Sequence, residues 1–305
     1  MRGLLALVAV VGAVAAWLWL SAGAPATFAV VAEETDSIGR ALVVDDFERG
    51  YRILVMGRSV AGGIWHVDNS SIFSYVHVAA AALAQLPAGT SAMGPPLVIG
   101  VGIDAVAREL GWTGHTAVDV SAAALSLGGT YFGRPQWGHA VVQDGRAFLE
   151  QQQQDRTGPA PRVVVMDVFL GGRHAAHLFT REALAQLRWD QALLLNLVAL
   201  PSSPFPRRLA ASLRALHPSL PLRLTADTSP PFTRPPNLLF FLGADVQRLQ
   251  LPHELTLPAE DDDGKPYLPF DDEHLEEIGR MQDDIAASFD ETFRSLVPAE
   301  IERRL

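Results

Sequence analysis

The chain has 305 residues, 49% of them apolar, and no cysteine, so it can bury a sizeable core and has no disulfides, thiol catalysis, zinc–thiolate sites or iron–sulfur clusters. Its net charge of −10 is lodged in one place: residues 254–305 carry 16 acids against 5 bases, while the 18 acids and 19 bases elsewhere nearly cancel. A neutral body with an acidic tail argues against nucleic acid as a partner.

Residues 4–20 form an unbroken apolar run after Arg2, followed by Ser21-Ala-Gly-Ala-Pro-Ala26. An uncleaved membrane anchor needs roughly 17–25 apolar residues, which this run just reaches, and Trp17 and Trp19 suit its interface. The competing reading of 1–26 is a signal peptide cut after Ala24-Pro-Ala26, leaving a secreted protein. The anchor is preferred, which makes the membrane a partner; the side on which the body lies stays open.

Residues 27–69 alternate short β-like runs, at 28–32, 41–44, 51–56 and 63–67, with turns at Asp45-Asp46 and Glu48-Arg49-Gly50. This predicts a small antiparallel β domain. Ser70 then stands as cap before a helix over 72–86. From residue 97 strands at 97–101, 116–120, 140–144, 162–169 and 192–200 alternate with helices at 105–110, 121–131, 146–153 and 180–187. That alternation predicts an α/β, doubly wound parallel sheet, completed by a helix over 206–216 and strands at 222–226 and 237–243. Residues 70–250 therefore read as one Rossmann-like nucleoside-binding domain. In 251–305 an acidic linker precedes a helix over 272–296 with Leu275, Ile278, Ile285, Phe289, Phe293 and Leu296 on one face. That face is expected to pack on the body and leave the acids in water.

The chemistry gathers at Leu97-Val-Ile-Gly-Val-Gly-Ile-Asp104. Gly100 and Gly102 let the backbone turn sharply and approach a ligand closely. Asp119 ends the next strand, where an acid accepts from ribose hydroxyls. Asp119, Asp144 and Asp167 close successive strands, so all three should face the crevice beyond the carboxyl ends of the sheet. Each one alone is also a plausible helix cap, Asp144 above all. His174 and His177 stand three apart without a further ligand nearby, so they read as loop residues and no metal is expected.

The succession Val98-Ile-Gly-Val-Gly102, Val118-Asp-Val120, Asp144-Gly-Arg-Ala-Phe-Leu149, Val165-Met-Asp-Val168 and His177-Leu-Phe-Thr-Arg-Glu182, with Phe73-Ser-Tyr75 heading the first helix, resembles the spermidine synthase family. That family has the class I S-adenosylmethionine-dependent methyltransferase fold behind a small β domain, and the resemblance covers roughly residues 28–243. It implies S-adenosylmethionine or its decarboxylated form as cosubstrate, without a metal, and Gly100 and Gly102 in the nucleoside-binding turn. It further implies that Asp119 holds the ribose and that Asp144 contacts the adenine amino group, with Gly145 leaving room. Asp167 would accept a proton from the attacking amine, which Tyr75 would orient. Asn196 is similar to an asparagine that many methyltransferase-like members keep; a buried, hydrogen-bonded structural role fits it equally.

Three departures narrow what the resemblance implies. The family's turn reads G-G-G-D-G-G, whereas here it is Gly100-Val-Gly-Ile-Asp-Ala105, with Asp104 one place late. The second aspartate of the polyamine synthases is replaced by Leu170, and their β-domain glutamine has no counterpart near residues 60–63. The expected activity is transfer of an aminopropyl or methyl group to a small-molecule amine or a protein, with a homodimer among the expected assemblies. The alternative is a catalytically inactive descendant serving as a nucleoside-binding or scaffold module at a membrane.

Overall fold

The computed structural model describes residues 27–303 apart from 91, 134–136, 155–157, 171, 228–235, 262, 283–289 and 291–292, and apart from the side chain of Leu170. Residues 28–65 form an antiparallel meander of β1 (Phe28–Thr35), β2 (Arg40–Asp46), β3 (Tyr51–Met56) and β4 (Ser59–Trp65), paired in that order. Strand β2 is buried along almost its whole length because both faces of this sheet are covered. Leu42 and Val44 point to one side and Ala41 and Val43 to the other, following the two-residue alternation of a strand.

Strand β4 begins four residues before the expected position. Gly62 and Gly63 interrupt its sequence pattern, but each lies where a neighbour needs the space. A Cβ on Gly62 would stand 2.4 Å from Ile103 Cγ1, and one on Gly63 2.6 Å from Ile72 Cδ1. Helix α1 (Ser74–Leu83) starts later than expected. Ser70 turns its backbone N–H and hydroxyl onto Asp68 Oδ1 instead of capping the helix.

The large sheet contains β5 (Leu97–Ile99), β6 (Thr116–Asp119), β7 (His139–Val142), β8 (Val163–Met166), β11 (Ala192–Val198), β12 (Leu222–Asp227), β13 (Asn237–Leu242) and β14 (Glu254–Leu255). Their order is β14-β12-β13-β11-β8-β5-β6-β7. Strands β11, β8, β5, β6 and β7 pair in parallel, whereas β13 runs antiparallel to both β11 and β12. The all-buried Val163-Val-Val-Met166 shows why such central strands read as continuous apolar runs. A short ladder of β9 (Phe169–Leu170) and β10 (Arg173–His174) follows β8, so the expected strand at 162–169 is split at Asp167.

Helices cover both faces of this sheet. Helices α1 and α2 (Ala105–Glu109) lie over one core layer; α4 (Gly145–Gln154), α5 (Arg181–Leu184) and α6 (Pro204–Leu216) lie over the other. Between them in the chain, α3 (Ala122–Tyr131) begins at Ser121, whose hydroxyl oxygen accepts from Ala124 N. Its Ala123 and Leu127 pack under the small sheet. In the tail, α7 (Leu275–Met281) puts Ile278 into the main core. Further on, Phe293, Leu296, Val297 and Ile301, the last from α8 (Ala299–Glu302), cover the outer face of the meander. Ile285 and Phe289, expected on the same face, lie outside the described residues. Among the described residues no helix is long and apolar enough to cross a membrane, and the run at 4–20 on which the anchor expectation rests also lies outside them.

Candidate functional site

The chain leaves the middle of the large sheet through β5, β6 and β7, then returns to β8 on the other side of β5. Such a reversal opens a crevice beyond the carboxyl ends of the two central strands. A cavity of about 490 Å³ occupies it. Tyr75, Gly100, Gly102, Asp119, Asp144, Gly145 and Asp167 all line this cavity, so the structure brings every candidate residue together. The small sheet forms its roof, through Ser37 to Arg40 in the β1–β2 turn and Ser59 to Gly62 of β4.

Gly100 (φ +80°) and Gly102 (φ +51°) adopt left-handed conformations, as the sharp turn requires. Their missing side chains, however, make room for protein. A Cβ on Gly100 would lie 2.2 Å from the Asp167 carbonyl oxygen, and one on Gly102 2.2 Å from that of Ala61. The turn is thereby clamped between the end of β8 and strand β4. At Gly145 a Cβ would meet Ile99 Cγ2 at 2.6 Å, so the space beside Asp144 serves packing as well.

Asp119 ties this turn together. Its Oδ2 accepts from Val101 N (2.8 Å) and Gly102 N (3.2 Å), and its Oδ1 accepts from Ser121 N (2.9 Å). Burial pushes its carboxyl pKa up; the three amides oppose that rise, and the nearby Asp36 carboxylate adds to it. Asp36 itself comes from the β1–β2 turn and caps α3, accepting from Ser121 Oγ (2.7 Å) and Ala123 N (3.0 Å). The roof is thus pinned beside the predicted ribose position.

Asp144 caps a helix with one oxygen and meets a histidine with the other. Oδ1 caps α4 through Arg146 N and Ala147 N, while Oδ2 lies 2.7 Å from His177 Nε2. Burial alone would raise its pKa, but the imidazole and the two amides hold it below the usual carboxylate range. His177, which lines the cavity, was legible as a neighbour of His174 and as the head of a matching segment, but without a role in the site. The two histidines part company. His174 sits in a box of Phe169, Phe179 and Phe205, with Nε2 3.1 Å from both the amide and the carbonyl of Val198. Burial takes its pKa down to about 3, so it stays neutral. Among the described residues the grouping with metal-ligand spacing is Asp271, Glu273 and His274, of which Asp271 and His274 already form a helix capping box.

Asp104 has a left-handed backbone (φ +59°) and is buried at the wall of the cavity, where its Oδ1 has no hydrogen-bond partner. Its Oδ2 lies 2.8 Å from His115 Nε2 and accepts from Trp137 Nε1 at 2.9 Å. One oxygen of this acid is therefore engaged with its own scaffold.

At the far end of the cavity, Asp167 is held from two sides. Its Oδ2 accepts from the Tyr75 hydroxyl (2.6 Å) and its Oδ1 from Asn196 Nδ2 (2.8 Å). Burial raises the Asp167 pKa against those two donors, while burial and the adjacent carboxylate push the Tyr75 hydroxyl well above its ordinary value. Asp167 is accordingly a better proton acceptor than a solvated carboxylate, and Tyr75 remains a neutral donor. Asn237, at the start of β13, also lines the cavity and carried no signal in the sequence.

Strand order, the antiparallel β13 and the crevice at the switch point define a Rossmann-like fold of the class I methyltransferase type, preceded by a small antiparallel sheet. Solved structures agree on that architecture. A probable spermidine synthase from Corynebacterium glutamicum superposes with a TM-score of 0.57 at 17% identity, covering 71% of this chain and 81% of that one. Spermidine synthase from Thermotoga maritima gives 0.50 at 16% identity, covering 90% and 87%. By sequence the chain is similar to an N-terminal histidine N-methyltransferase of Emericella nidulans, 28% identical over 178 residues. That match takes in 52% of this chain and spans only 31% of the relative's length. No family model matches the chain.

Proposed function

We propose that the protein transfers a group from an adenosyl sulfonium compound to a nitrogen acceptor. The observation that carries this reading is the Tyr75–Asp167–Asn196 cluster, which opens onto the same cavity as Asp119 and Asp144. The sulfonium would supply an electrophilic carbon. The chain's own residues would position the partners and take one proton. Lone pairs of Asp119 that its three amides leave free would accept from ribose hydroxyls, with Asp144 and His177 bordering the adenine. Asp167 would receive the proton of the acceptor nitrogen, with Tyr75 and Asn196 fixing the orientation of its carboxylate.

Two features favour S-adenosylmethionine and methyl transfer over the decarboxylated form and aminopropyl transfer. One oxygen of Asp104 is engaged with His115 and Trp137, and Leu170 stands where polyamine synthases have a second acid. The site thus offers fewer acidic partners for the additional ammonium groups of a polyamine. The similarity to a protein named as an N-methyltransferase points the same way.

Calorimetric titration with S-adenosylhomocysteine, and separately with each donor form, tests the reading. Wild type should bind, and Asp119→Ala should weaken binding by about tenfold or more, the scale of losing a charged hydrogen-bond acceptor. A wild-type protein that binds none of these nucleosides would overturn it.

A further inference from the structure

Asn196 interrupts the apolar run of β11, Ala-Leu-Leu-Leu-Asn-Leu-Val. It is 3% exposed and lines the cavity. Its Nδ2 donates to Asp167 Oδ1, and because an ionised carboxylate only accepts, that bond fixes which end of the amide faces the acid. The other end, Oδ1, is buried without a hydrogen-bond partner. Buried carbonyl oxygens are nearly always paired, so an orphan at the wall of a cavity marks a place for a donor.

The same end of the cavity has apolar walls in Phe73, Phe169 and Val198, and over β8, β11 and β13 its one lining carboxylate among the described residues is Asp167. The site therefore offers two acceptors side by side, one charged and one neutral, and the next acid along this edge, Asp227 at the end of β12, is buried and engaged by the Ser74 hydroxyl. A polyamine bound there would place its distal ammonium against those apolar walls, unpaired.

Resting on the transferase reading above, we propose that Asn196 Oδ1 accepts a second N–H from the acceptor nitrogen, so that the site selects a primary monoamine carried on an apolar or aromatic group. Asp167 takes one N–H and Asn196 another, which leaves the nitrogen lone pair directed away from both. A nitrogen with only one hydrogen can satisfy one of the two. A diamine satisfies both but strands its second charge.

The experiment titrates protein saturated with S-adenosylhomocysteine with benzylamine, N,N-dimethylbenzylamine and putrescine. Wild type should prefer benzylamine to its dimethyl analogue by about tenfold or more, the scale of one hydrogen bond to a charged group, and should bind putrescine more weakly. In Asn196→Leu that preference should fall to about twofold or less while affinity for S-adenosylhomocysteine is unchanged, which a general loss of structure would not produce. Asn196→Ala, checked for folding by the same nucleoside affinity, provides the second variant. Equal binding of the two benzylamines to wild type, no benzylamine binding to the nucleoside complex, tighter putrescine binding, or a preference that survives both substitutions would each overturn the proposal and leave the transferase reading standing. Failure of S-adenosylhomocysteine to bind wild type would remove both.

Discussion

Asp167 and His174 lie seven residues apart, the first half-buried and the second buried, and respond to acid in opposite ways. His174 has its pKa depressed to about 3, so the unfolded chain binds a proton below the ordinary histidine value of about 6.5 while the folded chain does not. Stability is then lost as pH falls, on the order of 2 kcal/mol from this residue by pH 5. Urea melts at pH 7 and pH 5 should show that loss in wild type and a correspondingly smaller one in His174→Gln. For Asp167 the shift is upward, so the native state holds its proton more tightly than the unfolded chain. Its stabilising contribution is full below the unfolded carboxylate pKa and is lost as pH rises through the folded value. Asp167→Asn should therefore melt higher than wild type at neutral pH, with the gap closing toward pH 4, while turnover falls about a hundredfold or more for want of a base. The position of Asp167 was legible because an apolar strand stops there. The His177 partner of Asp144 was not, since 33 residues separate the two and no local pattern joins them.

Elements were easiest to read where one physical rule acted alone. The central strands β5 and β8 are wholly apolar, as hydrophobic runs lead one to expect, whereas Ser121 and Thr180, expected inside their helices, cap them. Strand β4 was displaced in the reading because its glycines answer to neighbours distant in sequence, and β14, at two residues, carries no periodicity at all. The glycine turn shows how such neighbours set energies. Gly102→Ala must place a Cβ on a left-handed residue and move the Ala61 backbone, so it should cost more than about 1 kcal/mol by denaturant unfolding. Gly145→Ala meets side-chain atoms of Ile99 and Leu178, which can shift, and should cost less. The reverse order would mean that β4 does not press on the turn.

At the scale of the molecule, the acidic tail and the small sheet stabilise one another. The Tyr51 hydroxyl donates to the Leu296 carbonyl at 2.7 Å, and Phe293 is buried over the same face. Phe293→Ala should cost about 3–5 kcal/mol in unfolding free energy, as for other buried aromatic truncations. We further propose that residues 1–26 hold the protein at a membrane. The full chain should sediment with membranes until detergent is added, whereas a chain begun at Thr27 should remain in solution; recovery of soluble protein with a mature N-terminus near Pro25 would show a cleaved signal instead.

The cover over the meander also sets an order of events during synthesis. Strands β1 to β4 leave the ribosome early, yet Phe293, Leu296, Val297 and Ile301 emerge more than 200 residues later. At about 5–20 residues per second, the apolar face of the nascent sheet waits uncovered for tens of seconds or less. During that interval Leu42, Val44, Ile53 and Val55 offer an exposed surface to any chaperone at the tunnel exit, and completion of the roof over the cavity is deferred until the tail arrives.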